Sequence, residues 1–209
     1  MYKAIVFDLD GTLLDTTSGV IYAVEYTINE LGLPLLPSDV IKTFVGPPMQ
    51  LSFEQHYGME KERALEAANL FRKNYKEQSL FKAELYPNVL TILQYLKEKG
   101  YKIAVATNKS HDNAMAILKH FGVADYCDYM MGSDLGGKLK KADIIEKCLQ
   151  EISVEPSAAL YIGDSIFDFE GAEKVGMDFL GVTYGFGFKP NEEYSFEVVE
   201  ALLEVKNIL

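Results

Sequence analysis

Two aspartates one residue apart close the first apolar run of the chain. Val6 to Thr12 reads VFDLDGT, so Asp8 and Asp10 follow the stretch Lys3 to Phe7 directly. Two carboxylates at the end of a buried strand repel each other and need a counter-charge. Three further places carry groups that could join them. Thr107, Asn108 and Lys109 follow the apolar run Tyr101 to Ala106. Asp164 and Asp168 follow the run that ends at Ile162, and Lys140 and Lys141 precede a helical pattern opening near Ala142. Acids gathered at one point call for a cation. Oxygen-only ligands suit a hard ion, and Mg2+ is the usual one where phosphate is also bound. One carboxylate can attack phosphorus and form an aspartyl-phosphate. A second, held off the metal, can protonate the leaving oxygen. A threonine hydroxyl, backbone N–H groups and a lysine suit phosphoryl oxygens.

These groups meet only if the elements deliver them to one edge. Lys3 to Phe7 reads as a buried strand, and Asp10-Gly11 as a tight turn. Apolar residues recur at helical spacing from Thr17 to Leu31, with Gly32 as a stop. Leu33 to Pro48 is proline-rich and reads as irregular; Gln50 to Phe81 reads as mostly helical, broken near Gly58. After Tyr86-Pro87 the pattern alternates. Asn88 is expected to cap a helix ending at Lys99-Gly100, followed by a strand over Tyr101 to Ala106 and a helix over Ser110 to Phe121. A short strand at Tyr129 to Met131 and a helix over Ala142 to Ile152 come next. A strand over Ala158 to Ile162, a helix over Phe167 to Val175 and a strand over Phe179 to Val182 complete the series. This alternation predicts an α/β fold, a Rossmann-like parallel sheet with helices on both faces. The helical stretch after the first strand reads as an inserted α-helical cap domain. The expected core is 1–15 and 84–209, and the expected cap 16–83. In an open parallel sheet, ligands bind beyond the carboxyl ends of the strands, where each of these groups would stand.

The chain has 209 residues and a net charge of −11. That balance argues against binding nucleic acid or an acidic membrane, both of which need clustered Lys and Arg. It leaves room for a small phosphorylated metabolite, because one metal ion and one lysine reverse the local field. Cys127 and Cys148 form no CxxC, which fits reduced thiols. No leader pattern stands at the N-terminus, and no apolar run approaches the ~20 residues of a membrane span. A cytoplasmic protein, monomer or homodimer, is expected. His56, His111 and His120 are scattered and read as structural or surface residues, and most aromatic residues of the helical stretch as packing.

FDLDGT, VATN, a lysine within GKLKKAD, and GDSIFD occur in this order and at distances that resemble the four motifs of haloacid dehalogenase-like phosphatases. The resemblance covers nearly the whole chain, including a helical cap inserted after the first motif. It implies Asp8 as nucleophile and metal ligand, and Asp10 as general acid–base with its backbone carbonyl on the metal. Asp164 would be the third protein ligand; Asp168 would hold the metal through water or orient its neighbours. Thr107, Asn108 and Lys141 would bind the phosphoryl group. Lys141 is chosen over Lys140 because the family pattern sets its lysine directly before a KAD-type helix start. Gly11 would let the chain turn sharply after Asp10. TNK at Thr107 to Lys109 and GPP at Gly46 to Pro48 resemble the phosphoglycolate phosphatase and 5′-nucleotidase branch. Phe44, Gly46, Pro47 and Lys109 are therefore the candidates for substrate contact, the first three on a loop expected to close over the site. After YGFG the tail reads FKPNEEYSF, a pattern that assigns no role.

The resemblance implies a Mg2+-dependent hydrolase of small phosphate monoesters, like phosphoglycolate phosphatase, with a nucleotide or sugar phosphate as the alternative substrate. A phosphomutase of the same family would share every core motif. A haloacid dehalogenase would need no metal, and the two acids of GDSIFD speak against it. A receiver-type phospho-signalling module uses a similar set of groups but carries no large cap and spreads its acids differently over the strands.

Overall fold

The computed structural model describes residues 2–134 and 138–209. Gly137, the first residue of the GKLKKAD motif, lies outside them. By internal contacts the chain divides into two compact units, Met1–Asp15 with Leu85–Leu209, and Thr16–Glu84.

In chain order, β1 (Ala4–Phe7) and the two-residue β2 (Leu14–Asp15) lead into α1 (Thr17–Glu30), α2 (Ser38–Lys42), α3 (Met49–Tyr57) and α4 (Lys61–Asn74). A π-helical turn, Tyr75–Ser79, and β3 (Glu84–Leu85) follow. Then come α5 (Val89–Glu98), β4 (Lys102–Ser110), α6 (His111–His120), β5 (Tyr129–Ser133) and α7 (Lys141–Ile152). The chain closes with β6 (Ala159–Gly163), α8 (Ile166–Val175), β7 (Asp178–Val182), β8 (Glu197–Val199) and α9 (Val205–Ile208).

The larger unit is a six-stranded sheet in the order β5-β4-β1-β6-β7-β8, parallel at every pairing. β1 is central because all four of its residues are apolar and fully buried, as a strand covered on both faces requires. Alternate residues point to opposite faces. On one face Ala4, Val6, Ala104, Ala106, Ala159 and Tyr161 meet Ile144, Ile145, Cys148 and Leu149 of α7. Four alanines there let that helix lie close to the sheet. Ile5, Phe7, Ile103, Val105 and Ile162 are equally buried on the other face. From β1 the order runs outward through β4 and β5 on one side, then returns to β6, β7 and β8 on the other. β1 and its two neighbours thus form the topological switch, where the ends of strands leave a crevice for ligands.

The smaller unit is helical. α1 buries Gly19, Ala23, Val24, Thr27 and Ile28 along one stripe, and α4 buries Ala64, Ala67, Ala68 and Phe71. The stretch Leu33 to Pro48, expected to be irregular, holds the short helix α2. Pro37 stands just before it, with φ −55, a geometry that starts a helix as readily as it breaks one.

Two other expectations need correction, and the tail, to which the sequence assigned no role, gains one. Asn88 precedes α5 but makes no side-chain cap; it adopts φ 67, and its carbonyl opens the helix by accepting from Ile92 N–H at 2.9 Å. Asparagine tolerates that left-handed conformation better than most residues. β4 does not stop at Ala106 but continues to Ser110, with an irregular register between Thr107 and Ser110. The tail contributes a sheet strand, β8, which pairs Val182 with Val199. No helix of the described residues is long and apolar enough to cross a membrane. Both cysteines are free, Cys148 buried and Cys127 partly so.

Candidate active site

Parallel register sets the geometry. Phe7 pairs with Val105 of β4 and with Ile162 of β6, so the ends of three neighbouring strands lie level. Asp8 follows Phe7, and its N–H donates to the Ile162 carbonyl at 2.9 Å, keeping it bound to β6 past the strand end. Thr107 stands beyond Val105, and Asp164 follows Gly163, the last residue of β6. Gly11, with φ 85, turns the chain after Asp10; a Cβ at that position would run into the Asp164 carboxylate. Only glycine supplies both the backbone angle and the space.

Asp8, Asp164 and Asp168 are buried and offer oxygen atoms that all lie within 4.8 Å of one another. The Lys141 ammonium, also buried, bridges two of them, at 2.5 Å from Asp8 Oδ1 and 2.7 Å from Asp168 Oδ1. It stands 5.5 Å from the centre of the Tyr161 ring, whose electron-rich face favours a cation. Lys140, the adjacent residue, is exposed; its N–H closes a capping box with Asp143 at 2.8 Å. Helix periodicity thus sends one lysine inward and the other to solvent.

Asp168 is fully engaged. Its Oδ2 accepts from Ser165 N–H at 3.1 Å and from Ser165 Oγ at 2.6 Å, completing the capping box of α8. Its Oδ1 takes Lys141 and lies 3.4 Å from the Tyr161 hydroxyl, whose one proton has its shorter acceptor in the Ala106 carbonyl at 2.6 Å. Asp8 and Asp164 therefore have more lone-pair capacity left for a ligand. Asp10 stands apart from the three acids, its carboxylate paired with Lys109 Nζ at 3.0 and 3.2 Å. Lys109, a candidate for a substrate anion, spends its ammonium on Asp10 here. Thr107 is buried, and its Oγ1 accepts from Lys109 N–H at 3.2 Å. Asn108 is exposed, with no side-chain hydrogen bond among the described residues.

Charge balance gives the cluster its chemistry. Burial, opposed by Lys141 and reinforced by Asp168 and Asp164, pushes the Asp8 carboxyl up to about 8. Burial and then Asp168 push Asp164 up to about 7, against the N–H groups of Phe186 and Gly187 and the charge of Lys141. Burial alone would lower the Lys141 ammonium, but the carboxylates of Asp168 and Asp8 outweigh it and raise it. Three buried carboxylates face one buried ammonium, and two of them hold protons more tightly than usual. That is the mark of a cluster short of positive charge. All its donors are oxygens, so a hard divalent cation fits it.

The other candidates lie in the helical unit. Phe44 is fully buried there, its ring 5.0 Å from His56 in a stack and 5.4 Å from Phe53 edge-on, so its surface is taken up by packing. Gly46 and Pro47 are exposed, Gly46 with φ 104. Two contributors had no counterpart in the sequence reading. Tyr161 lies beneath Lys141. The backbone N–H groups of Phe186 and Gly187 donate to Asp164 Oδ2 at 2.6 and 3.3 Å. The paired glycines of YGFG are the trace such a contact leaves in a sequence, since they let backbone come close to a neighbour.

Comparison with known proteins bears on the whole chain. The haloacid dehalogenase-like hydrolase family matches residues 5–182. A 5′-nucleotidase of Pseudomonas aeruginosa is 33% identical over 187 residues, covering 89% of this chain and 85% of that protein. A phosphoglycolate phosphatase of Aquifex aeolicus is 31% identical, covering 88% of this chain and 86% of its own. The crystal structure of a predicted phosphatase from Clostridium acetobutylicum superposes with a TM-score of 0.89 at 33% identity, over 100% of this chain and 98% of the other.

Proposed function

The chain belongs to the haloacid dehalogenase-like hydrolase family, and from that premise we propose that it hydrolyses small phosphate monoesters by way of an aspartyl-phosphate. The observation that carries this reading is the buried cluster of Asp8, Asp164 and Asp168 around Lys141, at the switch point of a parallel sheet. Asp8 and Asp164 are the residues that would hold a Mg2+ ion, with the backbone carbonyl of Asp10. A bound cation would keep Asp8 ionised and offset charge on the phosphoryl oxygens.

The chain's own groups divide the rest of the work. An Asp8 oxygen attacks phosphorus in line, so a new P–O bond forms to the protein while the ester P–O bond breaks. Asp10 gives its proton to the departing alcohol oxygen. It then takes a proton from water, which attacks the aspartyl-phosphate, releases inorganic phosphate and restores Asp8. Lys109 holds the Asp10 carboxylate before substrate arrives. Lys141, fixed between Asp8 and Asp168, and the Thr107 hydroxyl supply positive potential and a hydrogen bond to the phosphoryl group. Asp168 positions Lys141.

Relatives named 5′-nucleotidase and phosphoglycolate phosphatase bracket the substrate class: a phosphate on a small alcohol, either a nucleoside or a hydroxy acid. The test is phosphate release across nucleoside monophosphates, phosphoglycolate and sugar phosphates, with Mg2+ and with chelator, for the wild type and Asp8→Asn. Release that requires Mg2+ and disappears in Asp8→Asn is expected. Wild-type turnover in Asp8→Asn ends the nucleophile assignment, and an isomerised sugar phosphate without free phosphate would make the enzyme a mutase.

A further inference from the structure

The tail that follows β7 touches the site through backbone alone. Phe186 and Gly187 direct their N–H groups at a single oxygen, Asp164 Oδ2, and Phe188 N–H donates to the Asp164 carbonyl at 2.8 Å. Among the described residues, Asp164 Oδ1 accepts no hydrogen bond. Three consecutive N–H groups thus grip one residue, fixing which carboxylate oxygen is occupied and which is left for a ligand. The approach is tight. A Cβ on Gly185 would overlap the Gly11 carbonyl oxygen, and would stand 2.6 Å from Asp164 Oδ2. Just before the grip, the Tyr184 hydroxyl donates to the Thr12 carbonyl at 2.8 Å, tying the segment to the turn that carries Asp10.

Something must hold this segment in place, because isolated loop backbone is mobile. Phe188 is buried, and its ring lies 5.1 Å from Phe196, 5.0 Å from Tyr194 and 6.0 Å from Phe179. Phe196 in turn lies 4.5 Å from Phe169 of α8 and immediately precedes β8. The FKPNEEYSF stretch is therefore an aromatic anchor. It seats one end of the loop on the sheet edge at β7 and β8, and on the helix that carries Asp168.

We propose that residues 184–188, anchored by this aromatic cluster, are a positioning element that sets the orientation of Asp164 for a divalent cation. The proposal rests on the functional reading above only in taking Asp164 as a cation ligand. Groups that orient a metal ligand typically alter metal affinity by about 10–100-fold when disturbed. The element contacts Asp164 through backbone N–H groups, so it would act on a cation through Asp164 and not as a ligand itself.

Mg2+ binding to the full chain, measured by calorimetry alongside metal-free melting, tests it. Gly185→Ala should weaken Mg2+ by about 10-fold or more. Phe188→Leu, which loosens the anchor without adding an atom near Asp164, should weaken it by a smaller factor. Ile92→Val, in the buried face of α5, should lower the melting temperature and leave Mg2+ affinity unchanged. Wild-type affinity in folded Gly185→Ala overturns the proposal. If that variant does not fold, Phe188→Leu decides in the same way, weakened binding supporting the proposal and wild-type affinity refuting it. The two readings fail separately: weakened Mg2+ binding in a protein that releases no phosphate from any ester removes the functional reading alone. Unchanged affinity in variants of an active phosphatase removes this one alone.

Discussion

Among the described residues, Lys141 is the one buried cation in contact with the acid cluster, and removing it isolates the electrostatics of the site. Lys141→Met keeps the apolar stem over Tyr161 and takes away only the ammonium that stands 2.5 Å from Asp8 and 2.7 Å from Asp168. Breaking a buried pair by deleting one partner costs about 3–5 kcal/mol, because the other charge stays buried without compensation. Folded domains hold only about 5–15 kcal/mol in total, so a loss of that size is visible in any urea melt. In chelator at pH 8 the variant should unfold at much lower urea than the wild type. At pH 5 the gap should narrow, since Asp8 and Asp164, already pushed up to about 8 and about 7, then carry protons and need no counter-charge. Adding Asp168→Asn removes one of the stranded charges. The double variant should therefore be more stable than the two single losses summed, by at least ~1 kcal/mol of coupling. A Lys141→Met loss below about 1 kcal/mol at pH 8, or one equally large at pH 5, would refute the charge-deficient cluster.

Three shorter tests follow from the same geometry. Asp10→Asn should retain Mg2+ binding, which would draw on the backbone carbonyl, and lower kcat by about 10²–10⁴-fold. The loss should be greater for alkyl phosphates than for p-nitrophenyl phosphate, whose leaving group needs no proton, and equal losses would contradict the acid role. Metal-free stability should respond to pH with a definite sign. The folded protein holds protons on Asp8 and Asp164 that the unfolded chain, with ordinary carboxyls near 3.8, has already lost. Their contribution is complete below about pH 4 and disappears as pH rises through 7 to 8. Mg2+ should therefore raise the melting temperature more at pH 8.5 than at pH 6, as scanning calorimetry can check. Finally, Lys140→Ala should change stability by no more than about 0.5 kcal/mol, the range of exposed substitutions, and should leave kcat intact. A larger effect there than in Lys141→Ala would mean that the two lysines exchange places.

Asp8 and Asp164 were legible because each sits where an apolar run stops. In a parallel sheet that position is fixed by register, so Asp8 beside Ile162 and Asp164 beyond Gly163 follow from strand ends alone. The pairing of Asp10 with Lys109 was not legible. The two are separated by 99 positions, and both types are ordinary on a surface, so nothing in their spacing announces an ion pair. The three residues of β8 give no period to read, and at Asn88 a left-handed backbone stands where the residue type points to a capping side chain.

The grip on Asp164 belongs to a deeper category. An N–H group is the same on nearly every residue, so Phe186 and Gly187 could donate equally well under other names. What their sequence does record is the space such donors require, in Gly185, and the force that holds them, in Phe188 and Phe196. A charged carboxylate is costly to bury and is therefore retained only where it has a task, which makes it readable as chemistry. Backbone donors cost a sequence nothing, and their task becomes visible only through the glycine that makes way and the aromatic ring that holds the loop still.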